Sequence, residues 1–466
     1  MITKGDQTRA LSLSTYAFTV CFAIWTIFSI LGMQIKQDLG LSDTQFGILV
    51  ATPILTGALS RLILGIWTDQ YGGRIVMSST MVLSAISTYL LTSIETYQMF
   101  LVAALGVGLA GGTFAVGVTY VSAWYEKEKQ GTVLGIFGVG NVGAALTNFG
   151  APLILLALGW QGLAKTYAII LFASAIIFYL FAKDDPKLLE RKAKKEKPRS
   201  ILQQIEPLKQ LQVWRFSLYY FFVFGGFVSL ALWLPNFYVL VYHVDIITAG
   251  LLAAAYALPG SIFRALGGWL SDKFGARAVM YWVFSACVGC CFFLSYPSTH
   301  YIVQGIEGPI DFNIEISLQV FIFFSIILGF FMSLGTAAVF KHIPVYYPDN
   351  VGAVGGIVGL IGGLGGFILP ICFGIMNDFI GVFTSCFMLL FAITGIALIW
   401  MHVSILIMER DIKKSKYLPE LGKAKILTTV DEAIENTEKI LSSIDDAIEN
   451  TQTQFSKLKK LRKTIQ

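Results

Sequence analysis

Apolar stretches of about 20 residues follow one another from residue 12 to residue 408, with only short polar breaks. This constrains the fold more than any other feature of the chain. At 1.5 Å per residue, about 20 apolar residues in a helix cross a hydrocarbon layer near 30 Å thick. Lipid offers no hydrogen bonds, so each crossing segment must satisfy its own backbone, which a helix does. Twelve spans are predicted, at 12–33, 46–67, 75–93, 98–121, 131–157, 165–182, 213–241, 247–270, 278–297, 317–340, 351–376 and 380–408. The first is longer than a signal-peptide core and no small-residue cleavage site follows it, so it reads as a retained helix. With 55% hydrophobic and 14% charged residues over 466 positions, a soluble multidomain chain is excluded.

Charge sets the orientation. Between Lys183 and Lys209 lie nine Lys or Arg, and Lys4 and Arg9 precede the first span. The positive-inside rule puts this linker and both termini in the cytoplasm of a cell with the chain in its inner (plasma) membrane, multi-pass among the lipids. The opposite side carries chiefly Lys36 and Lys165, and its longest loop, from Ser298, has three acids and no Lys or Arg. The net charge of +5 resides in loops and does not suggest nucleic-acid binding. Six cysteines all lie in apolar segments, which suits packing better than a metal or disulfides. No nucleophile–base pair, metal cluster or Gly-x-x-x-x-Gly-Lys-Ser/Thr loop is visible, so neither an enzyme nor a cofactor is expected.

The two halves repeat. RLILGIWTDQYGGR from Arg61 aligns without gaps on RALGGWLSDKFGAR from Arg264, matching Arg, Gly, Asp, Gly and Arg. Both copies join the second and third span of a six-span half. GIFGVGNVGAALTNFGAP from Gly135 more loosely resembles GIVGLIGGLGGFILP from Gly356, the fifth span of each half. The predicted organisation is an all-α membrane protein of two pseudo-symmetric six-helix bundles, 1–182 and 213–410. A basic linker, 183–212, joins them, and a tail with a heptad-like helix, 411–466, follows. Six plus six spans, a basic central loop and Gly-x-x-x-Asp-x-x-Gly-x-Arg after the second span resemble the major facilitator superfamily over residues 10 to 408. That resemblance implies a site near mid-membrane between two rocking bundles.

Arg61 and Arg264 each precede their loop Asp by eight residues, about 12 Å along a helix, which puts them near the bilayer centre. No carboxylate stands at that depth in any predicted span. Asp69, Glu126, Asp272 and Asp378 lie in loops or at helix ends. Two guanidiniums without counter-acids form a positive site that an anion would neutralise, although a structural role is the plainer alternative. Arginine favours forked hydrogen bonding to a planar or multi-oxygen anion. Gly138 and Gly362 belong to glycine clusters on the fifth and eleventh spans, which permit close helix packing and leave a narrow passage. Asn141, the polar residue of the first cluster, can donate an amide hydrogen bond.

The arginine pair, the two glycine signatures and GGFVSLALWLPNFY from Gly225 resemble the nitrate/nitrite porter family. The resemblance implies that Arg61 and Arg264 bind nitrate or nitrite and that Phe114 and Phe340 sandwich it. It also implies a hydrogen bond from a tyrosine on the seventh span, Tyr220 or its neighbour Tyr219. Packing is the alternative role for the rings. Asp69 with Arg74, and Asp272 with Arg277, are expected to gate alternating access through ion pairs at the cytoplasmic helix ends. Exchange of nitrate for nitrite is favoured over proton symport, because no titratable acid stands in the membrane core. An organic-anion or phosphate-ester exchanger is one rival, and a nitrate sensor signalling through its tail is another.

In the tail, Ile434, Thr437, Leu441, Ile444, Ile448, Thr451, Phe455 and Leu458 alternate four and three apart. That amphipathic periodicity suits self-association, a protein partner or anionic lipid, or simply a solvated helix on a monomeric transport unit. The orientation has a direct check. Alkaline phosphatase fused after Gly305 should be active and the same fusion after Lys192 inactive; the opposite pattern would invert the topology.

Overall fold

The structure, a computed structural model, describes residues 3–125, 130–184, 186, 209–346, 351–416 and 421–465. The first span is two helices, α1 (Lys4–Trp25) and α2 (Phe28–Leu39), with Thr26 between them bonding back to the carbonyls of Phe22 and Ala23. Then come α3 (Asp43–Tyr71), α4 (Gly73–Leu90), α5 (Tyr97–Trp124) and α6 (Gln130–Gly138). A 3-10 turn (Val139–Val142) leads into α7 (Gly143–Phe181). The second half starts with α8 (Leu211–Tyr220), a π-turn (Phe221–Gly226) and α9 (Phe227–Tyr242). It continues with α10 (Ile246–Ile262), α11 (Arg264–Phe274) and α12 (Ala276–Leu294). Strands β1 (Thr299–Gly305) and β2 (Gly308–Ile314) precede α13 (Leu318–Tyr346), α14 (Val351–Ile380) and α15 (Ser385–Lys416). The last helix is α16 (Leu421–Ile465).

Among the described residues, eleven helical stretches are long and apolar enough to cross a membrane. One of them, Val133–Phe181, has 49 residues, which as a straight helix would run about 70 Å. Gly159 breaks it at φ 69°, ψ 178°, a conformation that favours glycine, so this stretch crosses twice. Twelve crossings result. Most of the linker, including Lys187 to Lys197, lies outside the described residues.

The fold is nearly all-helical, as expected, with one short sheet outside the spans. The loop from Ser298 contains an antiparallel hairpin, with Tyr301 opposite Phe312 and Val303 opposite Ile310. In β2, Ile310, Phe312 and Ile314 alternate with Asp311 and Asn313, a period-2 pattern too short to stand out beside the surrounding helical periodicity. The hairpin marks one face of the protein, and the N-terminus and linker mark the other.

Glycine lets the helices approach backbone to backbone. A Cβ on Gly143 would fall 2.3 Å from the Thr19 carbonyl oxygen of α1, and one on Gly267 would fall 2.6 Å from the Leu334 backbone of α13. Between the halves, Gly47 meets the Pro370 carbonyl and Gly250 the Asn148 carbonyl, at 2.3 and 2.2 Å from a Cβ. By compactness the chain divides into two units, Met1–Trp400 and Met401–Gln466. In the second unit, α16 exposes Leu441, Ile444, Ile448 and Phe455.

Gly143→Val should force α1 and α7 apart. A melting temperature several degrees below wild type in detergent is the expected result, with Gly135→Ala, where nothing lies within 4 Å, unchanged.

Candidate functional site

Arg61 lies on α3 and Arg264 opens α11, each well inside its span. They reach those positions differently. α3 passes through Arg61 without a break, whereas α10 stops at Ile262 and Phe263 (φ −74°, ψ 3°) turns the chain into α11. A chain of contacts links the two: Arg61 lies against Phe224, which stacks on Tyr220, the hydroxyl partner of Arg264. Among the described residues neither forms an ion pair.

Three rings enclose Arg61. Its Cζ is 5.7 Å from the ring centroid of Trp25, 5.2 Å from Phe114 and 5.5 Å from Phe224. Such cation–π contacts hold a guanidinium without consuming its hydrogen-bond donors. Arg61 Nη1 donates to the Gly359 carbonyl of the opposite half at 3.2 Å, while its buried Nε has no partner among the described residues. Arg264 Nη2 donates to the Tyr220 hydroxyl at 3.4 Å, and its buried Nη1 is likewise unpartnered. Two donor-rich cations with idle N–H groups therefore converge where buried polar groups are normally satisfied.

Tyr220 and Tyr219 diverge. Tyr220 ends α8 just before the π-turn and stacks on Phe224 at 5.0 Å and 5°, which directs its hydroxyl to Arg264. Tyr219 packs against Phe284 at 5.2 Å and does not reach the arginines. Phe340 meets Tyr220 edge-on at 5.0 Å and 83°. Thus Phe114 sits beneath Arg61 in one half and Phe340 beside Tyr220 in the other.

The glycines differ in what they allow. A Cβ on Gly362 would lie 2.1 Å from Tyr220 Cδ1, so glycine is needed there for the ring to lie flat on α14. On Gly138 a Cβ would make ordinary contact with Arg264 Cδ at 3.5 Å. Asn141, in the 3-10 turn, is buried, and its Oδ1 has no hydrogen-bond partner among the described residues.

The four loop residues sit apart from this centre, at the linker face. Arg74 donates through Nε to the Tyr179 carbonyl at 2.9 Å and lies 4.0 Å from Asp184. Asp272 pairs with Lys341, and Arg277 donates to the Tyr346 hydroxyl at 3.3 Å. In the second half, therefore, Arg277 and Asp272 are each engaged by a neighbour rather than by one another. The side chain of Asp69 lies outside the described residues.

Trp25, Phe224 and the Gly359 carbonyl were not singled out from sequence. An aromatic residue in an apolar helix carries no mark of the face it occupies. Gly57 and Gly111, on two different helices, leave room for Trp25 only once those helices pack. The indole is further held by its Nε1 donating to the Pro53 carbonyl at 2.8 Å. The assembled site offers positive charge, N–H donors and aromatic walls, which suits a small flat anion.

The family model described as Major Facilitator Superfamily matches residues 13–305 and 309–463. The chain is 40% identical over 418 residues to the Thermus thermophilus protein named "Probable nitrate/nitrite antiporter NarK1", covering 86% of this chain and 93% of that one. It is 30% identical to the "Nitrite extrusion protein" of Bacillus subtilis, covering 84% and 94%. Among solved structures, a bacterial homologue of the human lysosomal transporter Spinster, in an inward-facing and occupied conformation, aligns with a TM-score of 0.66. That alignment has 15% identity and covers 86% of this chain and 97% of that one, so it speaks to the fold alone.

Gly362→Ala must push Tyr220 off α14 and away from Arg264. Anion affinity of purified protein should fall at least about tenfold, against less than threefold for Gly138→Ala. Isothermal titration with sodium nitrate reads both, and equal effects would contradict the packing just described.

Proposed function

The chain belongs to the Major Facilitator Superfamily and, within it, to the nitrate/nitrite transporters, and on that premise we propose how it binds and exchanges these anions. Arg61 and Arg264 clasp one nitrate or nitrite ion between the halves, and the protein exchanges one anion for the other by alternating access. The observation that carries this is the pair of guanidiniums from opposite halves, with idle N–H groups and no ion pair among the described residues.

Exchange follows from the charge. With the site empty, drawing the halves together would bring two like charges closer in a medium of low dielectric. A bound monoanion offsets that repulsion and gives the idle N–H groups acceptors. The loaded carrier therefore crosses readily and the empty one slowly, which is the requirement for antiport. Phe114 and Phe340 supply flat apolar surfaces suited to a planar ion. Tyr220 steadies Arg264, and Asn141 offers a further amide. The narrow, glycine-lined seam at Gly362 and Gly363 disfavours an organic anion or phosphate ester.

Arg74, Asp272 and Arg277 belong to the gate at the linker face, which we place in the cytoplasm of a plasma-membrane protein, together with Asp69. Among the described residues, several polar contacts at that face stay within one half or its adjoining linker residue. Examples are Gln7 to the Trp124 carbonyl, Lys183 to Asp6, and Lys341 to Asp272. Among the described residues, hydrogen bonds between the halves at mid-span or toward the hairpin face include Arg61 to the Gly359 carbonyl, Asn148 to the Ala231 carbonyl, and the Asp43 and Thr44 N–H groups to Asp378. This arrangement corresponds to a carrier closed outside and ready to open inside.

Proteoliposomes test the proposal. Labelled nitrate should enter vesicles loaded with nitrite or nitrate, and enter empty vesicles at least about tenfold more slowly, with a pH gradient unable to replace the internal anion. Uptake into empty vesicles driven by protons would overturn the antiport assignment. Arg61→Lys, which keeps the charge but loses the fork, should cut exchange at least about tenfold, and unchanged flux would remove Arg61 from the binding role.

A further inference from the structure

At the hairpin face the two halves are joined by an unusual contact. Asp378, near the end of α14, accepts hydrogen bonds from the backbone N–H groups of Asp43 and Thr44, at 3.1 and 2.8 Å. These are the first two residues of α3, in the opposite half. The third free N–H of that turn, on Gln45, is taken by the Ser42 side chain within a capping box. The start of α3 is therefore capped partly by its own chain and partly by the other bundle.

Close packing surrounds this contact. A Cβ on Gly374 would fall 2.2 Å from the Asp43 carbonyl, and one on Gly47 would fall 2.3 Å from the Pro370 carbonyl. The Asp43 carboxylate, which would otherwise repel Asp378, is paired with Lys36. A carboxylate is favoured at a helix N-terminus both as an acceptor of exposed N–H groups and by the helix dipole. Opening the hairpin face would separate Asp378 from α3 and return both partners to water.

We propose that Asp378 is a positioning residue of the transport cycle, an outer latch that holds the carrier closed on the hairpin face by capping α3 across the two halves. It does not touch the transported anion. This rests on the alternating-access reading above, but its test does not require anion flux.

The test uses Ser29→Cys as a reporter in the full-length protein. Ser29 is buried, and its hydroxyl donates to Asn148, which in turn donates to the Ala231 carbonyl of the other half. Right-side-out vesicles are treated with a membrane-impermeant maleimide, and labelling at position 29 is read by mass spectrometry. Asp378→Asn should raise the labelling rate about fivefold, since charge-assisted hydrogen bonds are roughly twice as strong as neutral ones. Asp43→Pro should do the same. It deletes one of the two latch donors at the first helical position, where proline is tolerated, and Ser42 before it is already extended. Asp43→Asn keeps that N–H, loses only the Lys36 pair, and should label at the reporter's own rate. Unchanged labelling in Asp378→Asn and Asp43→Pro would overturn the latch, as would equal acceleration by Asp43→Asn. If labelling changes as expected but no variant or parent exchanges nitrate, the latch stands and the substrate assignment fails.

Discussion

Two positive charges, with no acid paired to them among the described residues, govern the middle of this protein. Moving a guanidinium out of water costs several kcal/mol even after relaxation, and arginine cannot discard its proton to avoid that cost. Arg61 is accommodated by three ring faces and a carbonyl of the other half, and Arg264 by one tyrosine hydroxyl. Neither arrangement neutralises charge. An anion would complete the site under the proposed function, and the rings and glycines around it hold the guanidiniums in place without neutralising them.

The glycines make that geometry available. Tyr220 lies against Gly362 because a methyl group there would overlap its ring, and Trp25 fits between Gly57 and Gly111 for the same reason. Each close approach trades side-chain packing for backbone proximity, which in lipid is a favourable way to associate helices. It also makes the seam intolerant of change. The helical irregularities cluster at the same level: the π-turn after Tyr220, the 3-10 turn holding Asn141 and the break before Arg264. Such interruptions of a helix are frequent at functional sites.

The two faces differ in how the halves meet. At the hairpin face, Asn148 donates to the Ala231 carbonyl and Asp378 caps α3. At the linker face, Arg74 and Arg277 are held by tyrosines of their own half. A rocking carrier requires such an imbalance, since contacts closing both faces at once would leave it immobile.

Much of this was legible in the residues alone. Apolar run length dictated the crossings, because lipid permits so few backbone solutions, and a gapless repeat placed Arg61 and Arg264 as equivalents. A charge inside an apolar run is conspicuous by its cost. Trp25 and Phe224 were not, since apolar sequence does not tell which side of a helix faces a cation. The hairpin after Ser298 was read as plain loop because its alternation is short and lies between strong helical signals. Only tertiary structure could separate Tyr220 from Tyr219, pair Asp272 with Lys341, or bring Asp378 to α3, contacts that depend on the crossing of helices far apart in the chain. Sequence by itself determined which residues could not be indifferent to the membrane; the packing of the two halves decided what each of them would touch.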